Sequence, residues 1–261
     1  MKISKSFKVL FFLTLSGFIF NSCSDDDDSP RGVTVTNQDA AEIIESALKK
    51  NNGGFTTIIT NLTDRLKTDE IIPNTGKASG SSTKNSIKDI DCNTTYVDDS
   101  YEYKYEGSLV ISDFTGVSSF TLNCNNLGLP ETIDFNATTD GGFETFRFLY
   151  KGQTTTNTEV SGLGILAQNF FLNGSYVRTG SLYFKLRDIT LNSNTIFNLT
   201  NVTVNKYDEL FYPLTGGTGN VTLTATSGSN TFTFESSIVF KGNGTATLII
   251  DGETFEISFE G

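Results

Sequence analysis

The chain has 261 residues, with 19 Lys and Arg against 30 Asp and Glu, a formal net charge of −11 and no histidine. Without clustered basic side chains it is not built to grip phosphate backbones, which excludes nucleic acid as a partner. Without histidine, Ser-His-Asp and Cys-His catalysis, zincin motifs and His-ligated metal sites are closed to it. The first element in the chain is a basic segment carrying Lys2, Lys5 and Lys8, followed by an apolar run from Val9 to Phe20. That run is shorter than the ~20 residues a transmembrane helix needs, and with its basic flank it reads as a secretory signal.

The run ends in Phe20-Asn21-Ser22-Cys23, followed by Ser24 and the aspartates Asp25, Asp26, Asp27 and Asp28. The first four residues resemble a bacterial lipobox, although Phe20 and Asn21 depart from its usual residues. The resemblance implies acylation of Cys23 and cleavage after Ser22. Two or three acyl chains would anchor the protein firmly, since one chain alone is marginal. The Ser-Asp run resembles the surface-export signal of Bacteroidota lipoproteins, which implies a position on the outer face of the outer membrane. Taken as bare chemistry, four adjacent carboxylates form a solvated, extended tether. They lack the spaced ligands and glycine of a formed calcium loop. Loss of residues 1–22 removes three lysines, leaving 16 basic against 30 acidic residues and a mature balance of −14.

Residues 23–36 are the acidic tether, and residues 37–72 read as helical. Ala41, Ile44, Ala47 and Leu48 form one apolar stripe, with Thr36 or Asn37 as N-cap. Asn51-Asn52-Gly53-Gly54 breaks the helix, after which Phe55, Ile58, Ile59, Leu62 and Leu66 resume helical spacing. Residues 73–95 are a polar loop of small residues with nothing to bury. Cys92 and Cys124, an even pair in an exported chain, are expected to form a disulfide.

From residue 96 to 261 the apolar period is two, the mark of an antiparallel β domain. Tyr101, Tyr103 and Tyr105 share one face of a strand, a possible binding row if that face is open and a core wall if it is not. Asp140-Gly141 is expected to turn a hairpin that sets Phe135 against Phe146 and Ile133 against Phe148, and Asn173-Gly174 to separate two further strands. Toward the C-terminus, a turn at Gly228-Ser229 sets Leu223 against Phe234. A three-residue loop, Gly242-Asn243-Gly244, sets Phe240 against Ala246 and Ile238 against Leu248. A turn at Asp251-Gly252 sets Leu248 against Phe255 and Ala246 against Ile257. This register alone keeps Phe232, Phe234, Ile238, Phe240, Leu248, Phe255 and Ile257 on one face. The fold class is therefore mainly β: an antiparallel meander forming a large twisted or curved sheet, a sandwich or an open barrel, with a short helical N-terminal segment.

The Asp-run lipobox, "DAAEIIESALKKNNGGFTTII", "LNCNNLGLP", "LNGSYVRTGS" and "FKGNGTATLIIDGETFEI" together resemble a group of poorly characterised Bacteroidota surface lipoproteins. The resemblance implies a secreted β-rich body behind a helical segment and brings no activity with it. No catalytic, cofactor-binding or metal-binding residue stands out, and no cofactor is expected. The expected function is a non-enzymatic binding or structural module, held to the membrane by its lipid and facing an unknown surface ligand, glycan or protein. Two alternatives stay open. One is a carrier of a hydrophobic ligand in a curved-sheet cavity. The other is a carboxylate-dependent hydrolase drawing on Asp98, Asp99, Glu102, Asp208 or Glu209. Asn-x-Ser/Thr triplets at Asn93, Asn136, Asn198 and Asn220 are what a Thr- and Asn-rich composition produces by itself.

Overall fold

The computed structural model describes residues 33–68, 91–164, 166–206 and 214–259. Cys23 and the Ser24–Asp28 run lie outside the described residues, as do Asp208, Glu209 and the 69–90 segment. Helix α1 (Asn37–Leu48) is capped by Thr36, whose hydroxyl accepts from the Asp39 amide while Asp39 reaches back to the Thr36 N–H, a capping box. A 3₁₀ turn (Lys50–Asn52) ends at Gly53 in the left-handed region, and α2 (Phe55–Thr68) follows. The apolar stripes expected on both helices are buried.

Among the described residues ten strands follow: β1 (Thr95–Glu106), β2 (Val110–Cys124), β3 (Pro130–Thr145), β4 (Phe148–Ser161), β5 (Asn169–Phe184), β6 (Ile189–Asn205), β7 (Leu214–Ser227), β8 (Asn230–Gly242), β9 (Thr245–Ile250) and β10 (Glu253–Ser258). They form one antiparallel sheet in strict chain order, β1 to β10. Alternating burial along each strand puts an apolar face on one side and a Thr-, Asn- and Ser-rich face on the other. Cys92 and Cys124 are joined by a disulfide, with Cα atoms 5.5 Å apart.

The helical segment is the core partner of this sheet. Helix α1 touches β7, β9 and β10, while the 3₁₀ turn touches β2 and β3. One short segment reaching both halves of a ten-stranded sheet requires the sheet to curve around it. Lys50 ties the two ends together: its N–H donates to the Phe259 carbonyl at 3.0 Å, just after β10. Its own carbonyl accepts the Tyr103 hydroxyl of edge strand β1 at 2.9 Å. Phe55 of α2 packs on Tyr176 of β5, ring centroids 5.4 Å apart, and Tyr176 on Phe197 of β6 at 5.6 Å.

The C-terminal register is as the apolar pattern requires. Leu223 pairs with Phe234, Phe240 with Ala246, Ile238 with Leu248 and Ala246 with Ile257. Phe234, Ile238, Phe240, Leu248 and Ile257 are buried, and Phe232 and Phe255 pack half-buried beside them.

Two expected turns are not turns. Strand β3 runs straight through Asp140-Gly141 and reverses at Phe146-Arg147, so Phe143 pairs with Tyr150 and Glu144 with Leu149. The glycines serve the sheet instead. Gly141, Gly152 and Gly180 pair directly across β3, β4 and β5. The Tyr150 ring lies over this row, and a Cβ on Gly180 would stand 2.8 Å from Tyr150 Cε2. Asn173-Gly174 likewise lies inside β5, at a register shift between Leu172 and Gly174. There Gly174 takes φ +144°, a bulge rather than a strand end.

Candidate functional site

A cleft of about 340 Å³ lies at one end of the sheet. Its floor is the polar stripe of α1 and its C-cap, where Glu42, Glu45 and Lys49 stay half-exposed. Its walls are the β1–β2 and β3–β4 turns, which present Leu109 at 71 % and Phe146 at 68 % exposure. These two tips are level because Val110 pairs with Thr145, the residue before Phe146. Tyr105 and Phe148 also line it.

Every charge in the cleft has a partner. Arg147 Nη2 lies 2.7 Å from Glu42 Oε2, and Lys49 Nζ 2.9 Å from Glu45 Oε1. Arg147 also lies over the Phe148 ring at 5.7 Å. Beside the cleft, Arg187 of the β5–β6 turn meets Asp39 at 3.1 Å and stacks over Phe184 at 4.7 Å. Arginines on the β3–β4 and β5–β6 turns thus strap α1 to the sheet and hold the cleft floor in place. The chemistry offered is apolar contact with two exposed tips above paired charges, suited to binding.

The tyrosine row shares one face, as expected, and that face is mostly covered. Tyr101 is buried, and its phenol is pushed up to about 12 by that burial, with Asn61 hydrogen-bonding it in the opposite sense. Tyr103, half-buried, is pushed up to about 12 by desolvation. Only Tyr105 reaches the cleft. Because Tyr101 and Tyr103 stand against α2 and the 3₁₀ turn, they do not form an open platform.

The carboxylates considered for hydrolysis are dispersed. Asp98 is buried in an ion pair with Arg65 of α2. Glu102 pairs with Lys104 at 2.5 Å on the opposite, solvated face. The side chain of Asp99 lies outside the described residues. Among the described residues no three Cys, Asp or Glu side chains are gathered as metal ligands, and no helix is long and apolar enough to cross a membrane.

The cleft was not read from the sequence, because Leu109, Phe146 and Arg147 belong to no periodic pattern and meet α1 only through the fold. The available signal was an apolar residue in each of two turns, with Phe146 obscured by the misplaced hairpin. Comparison of the chain with protein-family models, with curated proteins and with solved structures finds no match.

Proposed function

We propose that this chain is a lipid-anchored surface lipoprotein of a Bacteroidota outer membrane, acting as a non-enzymatic binding module. The observation that supports binding most directly is the cleft between α1 and the Leu109 and Phe146 tips, where large apolar side chains are left in solvent beside a preformed concavity. Surface patches of this kind favour contact with another molecule. Glu42 and Glu45 are each neutralised by a base, which favours a binding role for the cleft over acid–base chemistry. Support for the anchor comes from the sequence: a basic, short apolar leader, a lipobox-like cysteine and the Asp run. Among the described residues, α1 and α2 side chains such as Ile44, Phe55 and Ile59 are buried against the sheet, which favours the binding module over the carrier alternative.

The test has two arms. Mass spectrometry of the mature N-terminus should find acyl chains on Cys23, and replacement of Asp25 to Asp28 with Ala should leave the lipid but reduce protease access on whole cells. Pull-down from intact cells should recover a partner with the native protein and lose it with Leu109→Ser/Phe146→Ser. An unmodified N-terminus elsewhere rejects the anchor. Hydrolytic turnover of a surface glycan or peptide, abolished by one carboxylate substitution in a folded protein, replaces the binding module with a hydrolase.

A further inference from the structure

The strand register lines up one row of side chains on the outer face with an unusual composition. Ser119 of β2 pairs with Asn136 of β3, and Asn136 with Asn157 of β4. Asn157 pairs with Ser175 of β5, and Ser175 with Asn198 of β6. Asn198 pairs with Asn220 of β7, which pairs with Ser237 of β8. Every position across seven consecutive strands is Asn or Ser, and all are exposed or half-exposed. Among the described residues no hydrogen bond engages any of these amides or hydroxyls, so their donors and acceptors face solvent.

The next row on the same face is different in kind. Val117, Thr138, Thr155, Val177, Ile196 and Thr222 stand in register, all β-branched, and the row ends at Glu235, which accepts from the Thr222 hydroxyl at 2.9 Å. A strip of methyl groups therefore runs beside a strip of amides and hydroxyls, about 6.8 Å away along the strands. At the β1–β3 end the two strips meet in a shallow depression of about 230 Å³ lined by Val97, Val117, Ser119, Asn136 and Thr138. The Asn-x-Thr triplets at Asn136 and Asn220 belong to this pattern. Each puts its Asn in the first row and its Thr, Thr138 or Thr222, in the second.

We propose that this outer face binds a linear, uncharged β-1,4-linked polysaccharide laid across the strands. Three features select that ligand class. The row offers one Asn or Ser per strand at the inter-strand spacing of about 4.8 Å and runs about 29 Å along the sheet over its six intervals. An extended β-1,4 chain advances by nearly the strand spacing per sugar, so each sugar lies over one Asn or Ser, with alternate sugars presenting the same edge. The paired strips match a pyranose, whose ring C–H groups suit the methyls and whose hydroxyls suit Asn and Ser. The Asn and Ser row carries no charge although the chain holds 30 acidic residues and a net −11. Its electrostatic complement is a neutral polymer, since a polyanion would be repelled by the acidic surroundings. The ligand class rests on the surface-binding reading, but the surface is separate from the cleft.

The experiment titrates the full mature chain, produced without its lipid, with cellohexaose and chitohexaose by calorimetry. Maltohexaose, whose chain coils, and an oligogalacturonate, which is anionic, serve as comparisons. Saturable binding of either β-1,4 hexasaccharide is expected, weakened roughly tenfold or more in Asn157→Ala/Asn198→Ala and in Asn157→Asp/Asn198→Asp. These side chains are solvent-facing, and circular dichroism checks that both variants fold. Leu109→Ser/Phe146→Ser should leave hexasaccharide binding unchanged. Absence of binding to both β-1,4 probes at millimolar concentration overturns the proposal. So does binding that survives both Asn variants, or equal binding of maltohexaose or oligogalacturonate. Binding lost only in the cleft variant also overturns it, and leaves the cleft as the binding site of the module.

Discussion

At the residue scale, Arg178 on β5 does most to join the helical segment to the sheet. It is 4 % exposed, and no carboxylate among the described residues pairs with it. Its Nη1 donates to the Ser46 carbonyl near the end of α1, and its Nη2 to the Asn52 carbonyl, both at 3.0 Å. The helix end carries partial negative charge, which partly compensates the guanidinium. Aromatic faces supply more: Arg178 lies 4.2 Å from the Tyr150 centroid, 4.9 Å from Phe143 and 5.5 Å from Phe114. A flat fork with two donors reaching two separate carbonyls is needed, and lysine cannot provide it. Arg178→Met should strand two carbonyls and cost about 2 to 4 kcal/mol in urea unfolding, with Arg178→Lys little better. A loss under about 1 kcal/mol would show that the fork is incidental. In the sequence, Arg178 stood in a quoted segment but broke the apolar period, so nothing marked it as core. The buried phenols give a second prediction at this scale. Tyr101 and Tyr103 titrate near 12 in the fold and near 10 when unfolded. Folding is favoured while both states keep the proton, so this stability is whole below pH 10 and declines as pH rises from about 10 through 12. With no histidine to titrate, stability should stay nearly flat from about pH 6 to 9. Thermal melts across pH, with phenolate absorbance followed in parallel, test this; a melting temperature already falling between pH 7 and 9 would contradict it.

At the element scale, the meander shows which turn signals carry information. Gly228-Ser229, Asp251-Gly252 and Gly242-Asn243-Gly244 turn where expected, with Gly228, Asn243, Asp251 and Gly252 all at positive φ. Each lies between segments whose apolar faces come into register only if the chain reverses there. Asp140-Gly141 has the same local chemistry and fails because reversal at Phe146-Arg147 also preserves the facing pattern, pairing Phe143 with Tyr150. Glycine in a strand is ambiguous between turn and bend, and the row Gly141, Gly152, Gly180 could be recognised only after pairing was known. The tyrosine row was legible as a shared face but not as a covered one, because its cover is supplied by residues some forty positions earlier. The C-terminal register predicts a specific cost. Phe234 is 8 % exposed and pairs with Leu223. Phe234→Ala should therefore lose about 3 kcal/mol, the low end for a buried aromatic. The neighbouring outward Thr233→Ala should lose under about 0.5 kcal/mol. Equal losses at the two positions would mean that the inside–outside alternation is wrong.

At the scale of the whole molecule, the helical segment and the sheet are one hydrophobic core. The helices supply Ile44, Leu48, Phe55, Ile58, Ile59 and Leu62, all at most 1 % exposed, to a sheet face bearing Phe114, Tyr176, Phe197, Leu223 and Leu248. Burial of one large apolar side chain stabilises by about 1.5 to 3 kcal/mol. Six such helical residues contribute on the order of 10 kcal/mol before the entropy of ordering them, as much as the net stability of an ordinary domain. The disulfide cannot substitute for this. It spans a sequence separation of 32, for which loop entropy gives roughly 3 to 4 kcal/mol. It also closes the chain only between the segment before β1 and the end of β2. A chain starting at residue 91, with the Cys92–Cys124 bridge intact, should therefore fail to unfold cooperatively and should bind a hydrophobic dye. Addition of a peptide covering residues 33–68 should restore a cooperative melt, since that segment carries the missing face and the carbonyls that Arg178 bonds. Cooperative unfolding of the 91–261 chain alone, with no dye binding, would show that the sheet closes its own core and that α1 and α2 merely rest upon it.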